Sequence, residues 1–277
     1  MREVEIISST GVLSASVFDN DESEVVLVIA SATGVRQSFY TKFAQFVSSR
    51  NVTVITFDYC GIGLSLKEPI KELTHSVSDW GTEDLNSILN YSIEHFPTHK
   101  KVLLGHSIGG QLVGLSVLSL KMDKVILVAA QSGFWKLWKG IEKIKMWTNW
   151  YVLFPFLINV FGYLPSKRIS GMENLPKGVA KQWMNWGRNS NYLLGEIPSE
   201  QTVFDKLDMD LTAFSIDDDQ FAPKRAVEWM TARFSRAKLK SVHLEPQDYG
   251  STKIGHFGIF KDKFKDTLWQ LLLNEIK

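Results

Sequence analysis

One serine in this chain stands where it could act as a nucleophile. Gly105-His106-Ser107-Ile108-Gly109 fits the pattern Gly-x-Ser-x-Gly, in which a strand turns sharply into a helix and holds the hydroxyl above a sheet. The turn strains the serine backbone, and glycines two places to either side remove the clashes a Cβ would cause. A serine hydroxyl needs a base to take its proton, and that base needs an acid to fix its tautomer. With such an elbow the expected chain order is serine, acid, histidine. Downstream of Ser107, the aspartates at a strand end are Asp217, Asp218 and Asp219, and only His243 and His256 follow. His243 lies inside the strand-like 240–244, tied to one face. His256 sits in the glycine-flanked turn Ile254-Gly255-His256-Phe257-Gly258 before the last helix, where it can reach over the sheet edge, so it is the expected base. Asp219, four residues before Pro223, is the expected acid, with Asp218 and then Asp217 as alternatives; a neighbouring carboxylate can simply cap the following helix.

The charge that develops on an attacked carbonyl oxygen needs two backbone N–H groups. One is expected from Ile108, directly after the serine. The other is expected from Thr33 in the turn Ser31-Ala32-Thr33-Gly34, where Gly34 frees the backbone to aim that amide inward. His106 is read as packing beneath the elbow.

The elements that must place these groups are legible in the hydrophobic pattern. Residues 2–8 and 12–18 alternate around Ser9-Thr10-Gly11, the mark of an antiparallel hairpin. A continuous apolar strand follows at 25–29, and further strands at 52–57, 101–104, 125–128, 211–216 and 239–244. Between them run helices at 37–49, at 79–96 starting near Ser78, from Gly110 onward through Val117 and Leu118, at 223–235 and at 261–276. Apolar strands interleaved with helices indicate an α/β fold, a mostly parallel twisted sheet with helices on both faces.

The alternation stops between residues 132 and 204. The core is therefore assigned to 1–131 and 205–277, with 132–204 as a mainly helical cap inserted into it. The insert holds six of the nine tryptophans; Trp135, Trp138, Trp147 and Trp150 are the expected apolar walls of a substrate pocket. No charge occurs from Met146 to Ser166, a length that could cross a bilayer. Pro155 is expected to break a continuous helix there, so a folded lid is the expectation, with contact at a lipid surface as the alternative.

Other signals are weaker. The formal net charge is +1 with no basic stripe, which gives no basis for nucleic-acid binding. A single cysteine, Cys60, excludes an internal disulfide, and the acidic residues among the first five depart from a secretory signal, so a cytoplasmic setting is expected. Gly61-Ile62-Gly63 lacks the third glycine of a dinucleotide loop. The aspartate run has no second ligand cluster, so neither metal nor cofactor is implied.

The chain resembles the α/β-hydrolase superfamily, in particular bacterial hydrolases grouped with its serine-aminopeptidase/monoglyceride-lipase-like branch. The resemblance runs almost end to end, through Ala30–Val35, Phe57–Ser65, Gly105–Gly110, Asp218–Pro223 and Ile254–Phe260. It implies an α/β-hydrolase fold and points to Asp219 as the acid and Thr33 as an oxyanion donor. Ser31-Ala32 replaces the family's usual His-Gly, and Cys60 replaces an arginine. The expected activity is hydrolysis of a small apolar carboxylic ester through an acyl-enzyme on Ser107. Amide or peptide cleavage, thioester hydrolysis, acyl transfer and a non-catalytic binding role are the alternatives. Glu173 and Glu196 are the acids an aminopeptidase could use to hold a free amine.

Overall fold

A computed structural model describes all 277 residues. Eight strands form one sheet: β1 (Arg2–Ser8), β2 (Gly11–Phe18), β3 (Val25–Ala30), β4 (Thr53–Phe57), β5 (Lys100–His106), β6 (Lys124–Val128), β7 (Asp210–Ile216) and β8 (Lys238–Leu244), in the order β1-β2-β4-β3-β5-β6-β7-β8. β1 and β2 form the expected hairpin, β2 runs antiparallel to β4, and β4 through β8 are parallel. Successive side chains alternate across the pleat. Val28, Leu103 and Leu127 therefore enter the core on one face, and Leu27, Leu104 and Ile126 the core on the other.

Besides the closing helix, expected at 261–276 but α-helical only over Leu268–Ile276, three helices depart from the sequence reading. The one expected at 79–96 begins at Val77, capped by Ser76, whose N–H donates to the Asp79 carboxylate at 2.7 Å. It then widens into a π turn over Trp80–Leu85, where a Cβ on Gly81 would lie 2.8 Å from that of Leu115. After the elbow, the helix spans only Ile108–Leu112. Gly114 packs so closely on the Phe204 ring that a Cβ would lie 2.2 Å from it, and its carbonyl accepts from Val203 N–H at 2.8 Å. The chain leaves the helix to meet the returning segment, and Val117 ends up exposed.

The third departure is at Pro155, which breaks nothing. Residues 140–161 run as one helical stretch through Gly140–Thr148, a π segment Asn149–Leu153, and Phe154–Phe161. Proline lacks an N–H and its ring crowds the carbonyl four residues back. The π segment widens the backbone just ahead of Pro155, the usual local adjustment around such a defect. No helix is long and apolar enough to cross a membrane. The remainder between β6 and β7 is short helices, including Lys177–Arg188, and one isolated bridge, Leu164 to Leu175.

One buried carboxylate ties the closing helix Leu268–Ile276 to the sheet. Glu275 accepts from Lys124 Nζ at 2.7 Å, Thr212 Oγ1 at 2.8 Å and Lys240 Nζ. Burial alone would raise its pKa; these donors overcome that and bring it from 4.5 to about 2. Because the folded-state pKa is depressed, the contribution to stability is complete above the unfolded value of 4.5 and disappears as pH falls toward 2. Glu275→Gln is expected to cost about 1–3 kcal/mol at neutral pH. It should also flatten the loss of Tm between pH 4.5 and 2, as read by thermal melts across that range.

Candidate active site

The elbow at the end of β5 has the geometry that its spacing requires. Ser107 sits at φ 55°, ψ −117°, a region costly for a residue with a Cβ, by about 1–3 kcal/mol. Its N–H is anchored on Val128 O at 2.9 Å. A Cβ on Gly105 would lie 2.4 Å from Gly110 Cα, and one on Gly109 2.2 Å from Ala30 O. The helix can cross β3 and β5 this closely only because both positions lack a side chain.

His106, fully buried under the elbow, joins both flanking loops. Its Nδ1 accepts from Tyr40 OH at 2.8 Å, and that hydroxyl accepts from Ala32 N–H at 3.0 Å. Its Nε2 donates to the carbonyl of His256 at 3.0 Å. Burial, then the proximity of His256, pushes the His106 pKa well below its ordinary value, so it stays neutral in the tautomer these partners require. The turn carrying Thr33 and the loop carrying His256 are thereby fixed to one rigid point.

The three aspartates have three different positions. Asp219 is buried, and its Oδ2 lies 2.7 Å from His256 Nδ1. Its Oδ1 accepts from the N–H groups of Phe221 (2.8 Å) and Ala222 (3.0 Å). Asp218 holds the histidine loop by its backbone, accepting from Gly255 N–H at 2.9 Å and Ile254 N–H at 3.2 Å. Asp217 is exposed and lies 3.6 Å from His243 Nε2. His243 itself bonds Ser215 Oγ at 2.8 Å, away from the serine.

Ser107, Thr33 and His256 line one cavity of about 190 Å³. Ile108 opens the helix beside it, and neither its N–H nor that of Thr33 donates to a protein acceptor. Gly34 has φ 63°, the freedom its position in the turn needs. The Ser107 hydroxyl is 3.5 Å from the side-chain amide of Gln131. Met146, Asn149, Trp150, Leu153 and Phe154 bring one side of residues 140–161 against the cavity, and Trp138 closes it beside Gln220. Trp135 and Trp147 lie outside it. Trp147 falls on the outer side of the helix, where its ring stacks on Tyr151. No Asp, Glu, Lys or Arg lines the cavity. Glu173 is instead paired with Arg36, and Glu196 accepts from Gln182.

The sequence model described as the alpha/beta hydrolase fold matches residues 24–244. The chain belongs to that family. No curated protein matches the sequence. Among solved structures, an esterase from Pyrococcus furiosus is similar with a TM-score of 0.64 at 16% identity, over 99% of this chain and 90% of the other. An esterase from Exiguobacterium antarcticum is similar at TM-score 0.60 and 16% identity over the full length of both. Est1E from Butyrivibrio proteoclasticus, solved with ferulic acid, has a TM-score of 0.60 at 13% identity over 99% of each chain. At these identities the likeness is one of fold.

Within this family fold the cavity lies at the carboxyl ends of the parallel strands, where open α/β sheets place their ligands. Several residues there escaped the sequence reading. Gln131 follows the end of β6, and that place on a parallel strand is the signal that could have found it. Ile169, at the end of the one-turn helix Ser166–Ile169, and the loop residues Met172 and Phe221 also line the cavity, but segments this short carry no periodicity that marks them as lining. Gly61 and Gly63 hold no phosphate cradle. A Cβ on Gly63 would meet the carboxylate of Asp58, which fills the loop and accepts from Gln37 N–H at 2.7 Å and Leu64 N–H at 2.9 Å. Cys60 is packed, and burial followed by Asp84 raises its thiol pKa to about 11, which removes it as a nucleophile.

Proposed function

We propose that this protein hydrolyses carboxylic esters bearing an apolar acyl or alcohol group, through an acyl-enzyme on Ser107. The single observation that carries the reading is the buried 2.7 Å contact between His256 Nδ1 and Asp219 at the wall of the cavity that contains Ser107. With Nδ1 committed to Asp219, Nε2 is the nitrogen available to take the Ser107 proton. The hydroxyl turns from Gln131 toward His256 and attacks the ester carbonyl. The amides of Thr33 and Ile108 receive the developing negative charge. His256 then returns the proton to the departing alcohol, and a water activated by the same imidazole releases the acid. Residues 132–204 act as the cap that shields this reaction and supplies the apolar walls.

The wall chemistry favours esters over free-amine peptides. An aminopeptidase needs an acid facing the substrate amine, and none lines the cavity. Each methylene buried there is worth about 0.8 kcal/mol, roughly fourfold in binding. A series of p-nitrophenyl esters is therefore expected to gain about 16-fold in kcat/KM over the two methylenes from acetate to butyrate, then fall as the acyl group outgrows the cavity. Hydrolysis of aminoacyl p-nitroanilides with no ester turnover would sink this reading.

A further inference from the structure

The outer side of residues 140–161 carries an apolar stripe with no partner in the chain. Ile141, Ile144, Val152, Phe156 and Val160 are between 51% and 62% exposed. Beside them Trp147 and Tyr151, also exposed, stack with centroids 5.5 Å apart. Soluble proteins scatter exposed apolar residues singly; a continuous set on one side of a stretch about 33 Å long marks a contact surface. The opposite side of this helix is the cavity wall.

Charge identifies the occupant. Residues 132–204 hold nine Lys and Arg against four Glu, a balance of +5, whereas the whole chain carries +1, so the rest is at −4. Lys136, Lys139 and Lys145 lie near the stripe's amino-terminal end, and Lys167 and Arg168 just past its carboxyl end; all five are exposed, with Lys145 paired to Glu142 and Lys167 to Glu173. Basic side chains flanking an apolar helical face, with Trp and Tyr at its margin, match the requirements of a helix lying in the interface of an anionic bilayer. We propose that residues 140–161 dock this protein on anionic phospholipid membranes, with the stripe in the acyl boundary and the lysines on the headgroups. Apolar substrates partition into that same layer, and the cavity lies directly behind the docked helix. The docking itself does not depend on the ester chemistry.

Co-sedimentation of the full chain with vesicles tests it. Wild type is expected to pellet with phosphatidylglycerol/phosphatidylcholine vesicles, far less with phosphatidylcholine alone, and less as salt rises. Phe156→Glu combined with Val160→Glu should lower partitioning by about tenfold or more while hydrolysis of a soluble short-chain ester stays at the wild-type rate. Lys139→Glu with Lys145→Glu, which leaves the apolar stripe intact, should remove the preference for the anionic vesicles. Wild type that stays in the supernatant with both vesicle types overturns the proposal, as do variants that pellet like wild type. A concentration-dependent dimer dissolved by Phe156→Glu/Val160→Glu, with no vesicle binding, overturns it in favour of a second copy on this face.

Discussion

Ser107→Ala is expected to lower kcat for a p-nitrophenyl ester by about 10⁴–10⁶-fold while leaving the fold intact. Everything else around the carbonyl survives the change: the amides of Thr33 and Ile108, the His256–Asp219 pair and the apolar walls. What is lost is the hydroxyl proposed to form the covalent bond with substrate, so acylation stops and a slow attack by water remains. The strained backbone at φ 55° is retained, since alanine meets the same Cβ constraint there as serine. Thermal melts should therefore place the variant close to wild type, which separates lost chemistry from lost structure. A fluorophosphonate probe should label wild type at Ser107 and leave the alanine variant unlabelled. Wild type that resists the probe and turns over no ester points instead to a binding protein that keeps the fold, and an alanine variant with full activity removes Ser107 from the mechanism.

The serine could be found in the sequence because its constraints are local. Five residues specify the elbow, and both glycines are needed for contacts within 2.4 Å of a Cβ position. The central strands were equally legible, since burial on both faces leaves a continuous apolar run such as the fully buried Val125–Val128. Helix ends were less so. The helix after the elbow stops because Phe204, ninety residues further on, fills the space beside Gly114; hydrophobic periodicity carries no trace of that contact. Pro155 misled for a related reason. A rule about proline in α-helices assumes regular hydrogen bonding, and the π segment before it removes the assumption. The tryptophans show the same limit: Trp147 and Trp150 are three residues apart, yet one stacks on the outside and the other is buried against the cavity. Gln131 was missed because a glutamine side chain by itself announces no chemistry; only its place just past the end of β6 points to the site.

The acid is where sequence and geometry interact most usefully, because adjacent aspartates can be separated by experiment. Asp219→Asn is expected to lower kcat by about 10³–10⁴-fold with KM little changed. The reason lies in how an asparagine must sit there. The N–H groups of Phe221 and Ala222 both point at the Oδ1 position, so the amide oxygen has to occupy it. The NH₂ group then takes the Oδ2 position facing His256 Nδ1 and donates a hydrogen to it. That forces the imidazole into the tautomer with its proton on Nε2, which can no longer accept the hydrogen of Ser107. Asp218→Asn keeps a carbonyl oxygen for the N–H groups of Gly255 and Ile254, weakening the loop's anchor without changing the tautomer. It should cost about tenfold or less, as expected for one charged hydrogen bond made neutral. Parallel kcat and KM measurements on the two variants decide the matter: equal losses would transfer the acid's role to the loop anchored by Asp218, and an unimpaired Asp219→Asn would leave His256 without an orienting carboxylate.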